Sequence, residues 1–214
     1  MTSRGAGKQV RKSATERRGE IVAAAARAGL QEGLECVTRQ RIADELGVRP
    51  GLIHHYFPVV EELVAEAFTS ATTAELDGLL LPSVAAPDGV GGDALRTLQR
   101  FFTLISGAEF DDISKLWINA RHLSRYRPAL RDQVVSQELR WCHRIEQIIT
   151  EGVAEQSFRC DDPWAAAVRI LAVVDGAGAY INTSADRRMA PLADLARRIA
   201  EAELGLPADG LRSL

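Results

Sequence analysis

Apolar positions in the first third of the chain recur every three or four residues and are separated by short polar or glycine-bearing breaks, the pattern of short amphipathic helices. Ile21, Val22, Ala25, Ala28 and Gly29 mark one face of a helix predicted from about Thr15 to Glu32, which Gly33 stops. A second helix, about 39–46, places Ile42 and Leu46 one turn apart with the small Ala43 beside them, and Gly47 follows its last turn. A third, about 50–56, opens on Pro50, whose missing N–H is not needed in a first turn. Val48, Leu52 or Ile53, and Tyr56 or Phe57 supply its apolar face, and Pro58 ends it. A fourth starts near Val59 or Val60 and continues to about Leu80, with Glu61 and Glu62 at its positive end.

The same period continues beyond a Pro- and Gly-rich loop at 82–92. Asp93 caps a helix through Phe101, Phe102 and Ile105 that Gly107 breaks; another runs from about Asp111 to Tyr126, ended by Pro128. A long helix spans Pro128 to about Gln156, Asp162-Pro163 opens one to about Arg188, and Pro191 opens the last, to about Gly205. No period-two alternation occurs, so the prediction is an all-α chain of about nine helices. The stretch WAAAVRILAVVDGAGAYI is apolar on nearly every face and must be buried on all sides. Leu192, Leu195, Ile199 and Leu206 form an apolar stripe on the last helix beside Arg197-Arg198.

Residues 38–58, TRQRIADELGVRPGLIHHYFP, have the layout of a helix-turn-helix, which lays its second helix in the major groove of DNA. A net charge of −3 argues against nucleic acid until its distribution is read. Residues 1–57 carry ten Lys or Arg against six Asp or Glu, whereas the remainder carries sixteen against twenty-three. A basic head on an acidic body suits a DNA reader with a separate effector domain. Three cysteines, Cys36, Cys142 and Cys160, have no metal spacing and read as reduced thiols. There is no secretion signal and no apolar run of membrane-spanning length, which points to the cytoplasm.

On these residues the chain resembles the TetR family of bacterial transcriptional regulators over roughly residues 13–68. The matching features are the ERRGEIVAAAARAGLQEG helix, Thr38, Ile42-Ala43, Gly47-Val48, Gly51, the run His55-Tyr56-Phe57, and Glu61-Glu62-Leu63. The resemblance implies a flexible basic tail at 1–12, a three-helix DNA-binding head at 13–58, and a helical effector-binding and dimerisation body at 59–214. It makes the third helix the recognition helix, exposing Arg49, Pro50, Gly51, His54 and His55, with Tyr56 near the DNA backbone. Arg49 either reads guanine or meets a phosphate. Thr38 or its helix N-terminus lies on a phosphate, and one of Arg39 and Gln40 faces DNA. Arg11, Lys12, Arg17 and Arg18 are further phosphate candidates. Four positions depart from the family pattern: Arg49 stands for a small hydroxyl residue, Leu52 for Thr, His54 for Tyr, and Val60 for a phosphate-meeting Lys. His54 and His55 are about 100° apart on a helix and do not share a metal ion; no metal or cofactor is expected.

The body resembles that of the choline-responsive regulators through Trp117, Pro128-Ala129-Leu130, Glu151-Gly152, Phe158-Arg159 and Asp175-Gly176. Phe102, Trp117, Arg121, His122, Tyr126, Trp141, Asp175 and Tyr180 are the effector-pocket candidates. Trp117, Trp141 and Asp175 suit an organic cation, while Arg121 suits a carboxylate ligand. Two helices from each of two subunits make a four-helix interface, or the same helices pack inside one monomer. The homodimer is favoured because two heads on a palindrome supply the affinity that one lacks. The expected function is a repressor released from double-stranded operator DNA by a small-molecule effector. The alternative is a regulator without one. An enzyme is the remote reading, for the chain has no GxSxG, P-loop, HExxH or CxxC.

Overall fold

The computed structural model describes residues 13–80, 93–107, 110–181, 192 and 194–212. Among these residues there are nine α-helices, one short 3-10 turn and no strand. The helices are α1 (Ala14–Glu32), α2 (Arg39–Leu46), α3 (Pro50–Tyr56), α4 (Val60–Leu80), α5 (Asp93–Ile105), α6 (Asp111–Ser124), α7 (Pro128–Ala154), α8 (Pro163–Ile181) and α9 (Leu195–Glu203), and the turn is Leu34–Cys36. The chain is therefore all-α, with a three-helix head and a larger helical body.

Local chemistry accounts for the boundaries. α1 starts one residue before the predicted Thr15 because Ser13 and Glu16 form a reciprocal cap. The Ser13 hydroxyl accepts from the Glu16 N–H at 3.1 Å, and the Glu16 carboxylate accepts from the Ser13 N–H at 2.7 Å. Gly47 closes α2 in the left-handed conformation (φ 63°, ψ 36°), which costs a side-chain-bearing residue energy. Asp93 is the first residue of α5, α6 stops two residues short of Tyr126, and α7 stops two short of Gln156. The predicted loop at 82–92, the extension of α8 to 188 and the start at Pro191 lie outside the described residues.

The head closes on Ile21, Ala25, Ile42, Ala43, Ile53, Phe57 and Leu63, all fully buried. α4 then passes from head to body, where Phe68 meets the Trp117 ring of α6 edge-on at 5.0 Å. α7 lines the body core with Trp141, Ile145, Ile148 and Ile149. After α7 the chain folds back so closely that a Cβ on Gly152 would lie 2.1 Å from the Phe158 ring, a physical reason for that Gly–Phe pairing. α8 is joined to α9 by Arg169 on Glu203 (2.6 and 2.5 Å).

The apolar faces of α8 and α9 are only partly covered within one chain. α9 buries Ala196, Ala200 and Leu204 with the Arg197–Glu201 ion pair. Leu195 is left 38% exposed, and Ile199 and Leu206 are half-buried. On α8 Val168, 40% exposed, and Ala172 face the space between α8 and its neighbouring helices, while Gly176 and Ala179 are exposed beyond it. The expectation that this helix is covered on all sides is thus not met by one copy.

Candidate nucleic-acid interface and body cavity

The α2–α3 unit is held by bonds that also determine which of its polar groups stay available. The Thr38 hydroxyl accepts from the Arg41 N–H at 3.2 Å, and the Val48 N–H donates to the Ala43 carbonyl at 3.0 Å. Arg39 donates to the carbonyls of Phe57 and Pro58, fastening the start of α2 to the end of α3. Arg41 lies between Glu32 (2.5 Å) and Glu45 (2.9 Å), and Arg18 pairs with Glu66 beneath its stack on Phe57, 4.7 Å from the ring centroid. Arg17 pairs with Glu20. These four cations brace the head itself. Arg49, just before α3, is exposed and forms no ion pair among the described residues.

Around Arg49 lie the other predicted contact residues. Pro50, Gly51, His54 and His55 are exposed on α3, as are Thr38 and Gln40 at the start of α2. Gln40 donates to Asp44 at 2.7 Å. Tyr56 is half-buried, edge-on to His55 at 5.2 Å. α3 thus presents a convex face of small, imidazole and guanidinium groups to solvent. Arg11 and Lys12 lie outside the described residues. Among those described, no group of three or more His, Cys, Asp or Glu is placed to hold a metal.

The body contains a cavity of about 220 Å³ between α4, α5, α6, α7 and α8. Of the eight predicted pocket residues, Trp117, Arg121, Trp141 and Asp175 line it. The other four lie off its walls. Phe102 sits one residue, and so about 100° of helix, beyond Phe101, which does line the cavity. His122 and Tyr126 stand edge-to-face on each other at 6.1 Å, both exposed, and Tyr180 is 63% exposed near the end of α8. Two wall carboxylates were absent from the sequence reading: Glu75 on α4 and Glu138 on α7. Glu75 continues the buried Val64, Phe68, Ala71 stripe at helical spacing, and a charge on an apolar stripe is the signal that marks it.

The cavity's polar groups form one network. Arg121 donates from Nε to Glu138 at 2.8 Å and from Nη2 to Asp175 at 2.7 Å, and its guanidinium carbon lies 5.0 Å from the Trp117 ring centroid. The Trp117 indole N–H donates to Glu75 at 2.9 Å. Burial pushes the Glu75 carboxyl up to about 8; the Trp117 bond opposes this, the Asp175 charge adds to it, and Arg121 opposes it. Burial also raises Asp175, against the pull of Arg121. The Cys142 thiol in the wall is pushed up by burial and by nearby carboxylates, so it stays neutral. The Trp141 indole N–H is buried with no partner among the described residues. Two carboxylates therefore hold one guanidinium over the Trp117 ring, and a third carboxyl, Glu75, meets the N–H of that same ring.

α6 connects this cavity to the head. Beside Trp117 and Arg121 it carries Asn119, whose Oδ1 accepts from the Leu34 N–H at 2.8 Å and whose Nδ2 donates to Glu35 at 2.8 Å. Leu34 and Glu35 belong to the turn between α1 and α2. The sequence reading missed Asn119, because its partners lie some 85 residues away.

Two family models match the chain. Residues 21–67, from α1 into α4, match the model described as bacterial regulatory proteins, tetR family. Residues 103–206 match the model described as BetI-type transcriptional repressor, C-terminal. No match was found among curated proteins. Among solved structures, a transcriptional regulator from Saccharomonospora viridis in complex with choline is 25% identical, with a TM-score of 0.68 over 87% of this chain and 95% of that one. A TetR transcription regulator from Haloarcula marismortui is 21% identical, with a TM-score of 0.69 over 89% and 99%. Reduced NemR of E. coli is 16% identical, with a TM-score of 0.69 over 89% and 98%. The last two share the fold.

Proposed function

Because the chain belongs to the TetR family of bacterial transcriptional regulators, we propose that it is a dimeric repressor that leaves a palindromic operator when a small organic cation enters its body cavity. Residues 13–58 read DNA, residues 59–214 bind effector and dimerise, and the basic tail at 1–12 adds phosphate contacts. Arg49, His54 and His55 reach base edges, while Thr38, Gln40 and Tyr56 hold the backbone on either side. Arg39 supports this surface from behind through the Phe57 and Pro58 carbonyls. The site of action is the cytoplasm; among the described residues no helix is long and apolar enough to cross a membrane.

The observation that carries the effector class is the pair of carboxylates, Glu138 and Asp175, set against the single Arg121 guanidinium in a cavity that Trp117 and Trp141 also line. Ring faces and carboxylates attract a cation, and a desolvated site strengthens both. Arg121 is already bonded to two carboxylates, which argues against the carboxylate-ligand alternative. About 220 Å³ suits a compact molecule, and the relative solved with choline holds such a cation. The unpaired Trp141 N–H favours a ligand that also carries an oxygen acceptor. An effector-free regulator would need no such space. The body is given no catalytic task.

A second copy packs on the uncovered faces of α8 and α9, removing Gly176, Ala179 and Leu195 from water. Effector acts by preferring the conformation in which the two heads are wrongly spaced. Titration calorimetry with choline and with its uncharged carbon isostere, 3,3-dimethylbutan-1-ol, tests the cation reading. Choline is expected to bind and the isostere not to. Equal binding of both, or binding of neither, contradicts it.

A further inference from the structure

Three of the groups that would recognise a cation in this cavity, Trp117, Glu138 and Asp175, already hold one. The Arg121 guanidinium lies over the Trp117 ring at 5.0 Å and donates to Glu138 on α7 and to Asp175 on α8, at 2.8 and 2.7 Å. Arg121 itself comes from α6, so one side chain ties three helices together at the cavity wall. A guanidinium does not lose its proton in a protein, so Arg121 stays a cation in this clamp at every pH at which the protein is folded.

We infer that Arg121 is the cavity's resident cation, and that the effector acts by taking its place on Trp117, Glu138 and Asp175. The inference rests on the cation reading above. It adds that the protein's own guanidinium competes with the effector and sets how tightly the effector binds.

Three observations favour exchange over simple addition. A cation added beside a retained Arg121 would meet like charge at short range, with both carboxylates already engaged. The side chains are also exposed enough to rearrange: Arg121 is 33%, Glu138 39% and Asp175 43% accessible. The displaced guanidinium therefore has a route to water, and water can take up the bonds it gives up. Finally, α6 is the helix whose Asn119 holds the Leu34–Cys36 turn of the head. Freeing α6 from α7 and α8 thus loosens the element on which the head is seated. By linkage, whatever strengthens the clamp favours the effector-free state and weakens effector binding.

Arg121→Met keeps much of the side-chain volume and removes the charge. Choline affinity of the full chain is measured by calorimetry for wild type and variant. Operator affinity without choline is measured beside it. The expected result is choline binding at least about tenfold tighter in the variant, the scale of one charge-assisted hydrogen bond no longer broken, with weaker operator binding in the absence of choline. Equal or weaker choline binding by a variant whose wild-type parent binds choline overturns the displacement and leaves the cation cavity standing. Absence of choline binding by both proteins overturns both readings. If the variant does not fold, the Arg121 Nε–H resonance of the wild type serves instead. It is expected to lose its hydrogen-bonded shift as choline saturates, and a signal unchanged at saturation overturns the displacement.

Discussion

Glu75 makes a quantitative prediction about stability. Its carboxyl accepts from the Trp117 indole N–H at 2.9 Å, and burial pushes it from an ordinary 4.5 up to about 8. The folded protein therefore keeps a proton on Glu75 to about pH 8, whereas the unfolded chain releases it near 4.5. Below 4.5 both states are protonated and the group is neutral toward folding. As pH rises from 4.5 to 8 the unfolded state is increasingly favoured. At ~1.4 kcal/mol per pH unit, the full separation of the two values is worth about 5 kcal/mol. Water reaching the cavity screens roughly half of that, leaving about 2–3 kcal/mol. Glu75→Gln removes the ionisation while its amide oxygen still accepts from Trp117. Urea unfolding of both proteins at one protein concentration, from pH 4.5 to 8.5, reads the difference. The two stabilities are expected to lie close together at the acid end and to diverge upward, with the variant ahead by about 2–3 kcal/mol at pH 8.5. A difference that is flat across the range, or a variant that is less stable at alkaline pH, refutes the reasoning.

Other consequences follow from single contacts. Arg49→Ala is expected to lower operator affinity by about 1–3 kcal/mol in fluorescence anisotropy with the circular dichroism spectrum unchanged; unaltered affinity removes Arg49 from the interface. Gly152→Ala places a methyl where the Phe158 ring lies. It should cost about 1–3 kcal/mol, visible as a melting temperature lower by about 3–10 °C, and an unchanged melt contradicts the packing described. Leu195→Arg puts charge on the uncovered face of α9; sedimentation is expected to show a monomer, and a persistent dimer moves the interface elsewhere.

The head was legible in the sequence because its determinants are local. Thr38, Gly47 and Pro50 mark the ends of α2 and α3 within a dozen residues, and backbone chemistry makes each meaningful without tertiary information. What escaped were the partners of its charges. That Arg18 would sit on Phe57 and pair with Glu66, or that Arg39 would reach the Phe57 and Pro58 carbonyls, depends on how helices cross. The cavity was half legible for the same reason. Trp117 and Arg121 are one turn apart on α6, so periodicity brings them together. Asp175 stood out as a charge in an apolar helix. Glu138 stands on the buried stripe of α7, four residues after Val134 and three before Trp141, and so carried the same signal as Glu75, whereas Phe101 and Phe102 differ only in helical phase, which an apolar run leaves undetermined.

In the proposed function an exposed helix-turn-helix reads a specific operator under the control of a cation held in the body. Selection of bound fragments from a random double-stranded DNA library by the purified full chain, at stated salt and with or without choline, tests it most directly. The predicted result is enrichment of an inverted repeat with half-sites one helical turn or a multiple apart, lost when choline is present. Salt-sensitive binding that enriches no sequence, or no binding even at low salt, would contradict it.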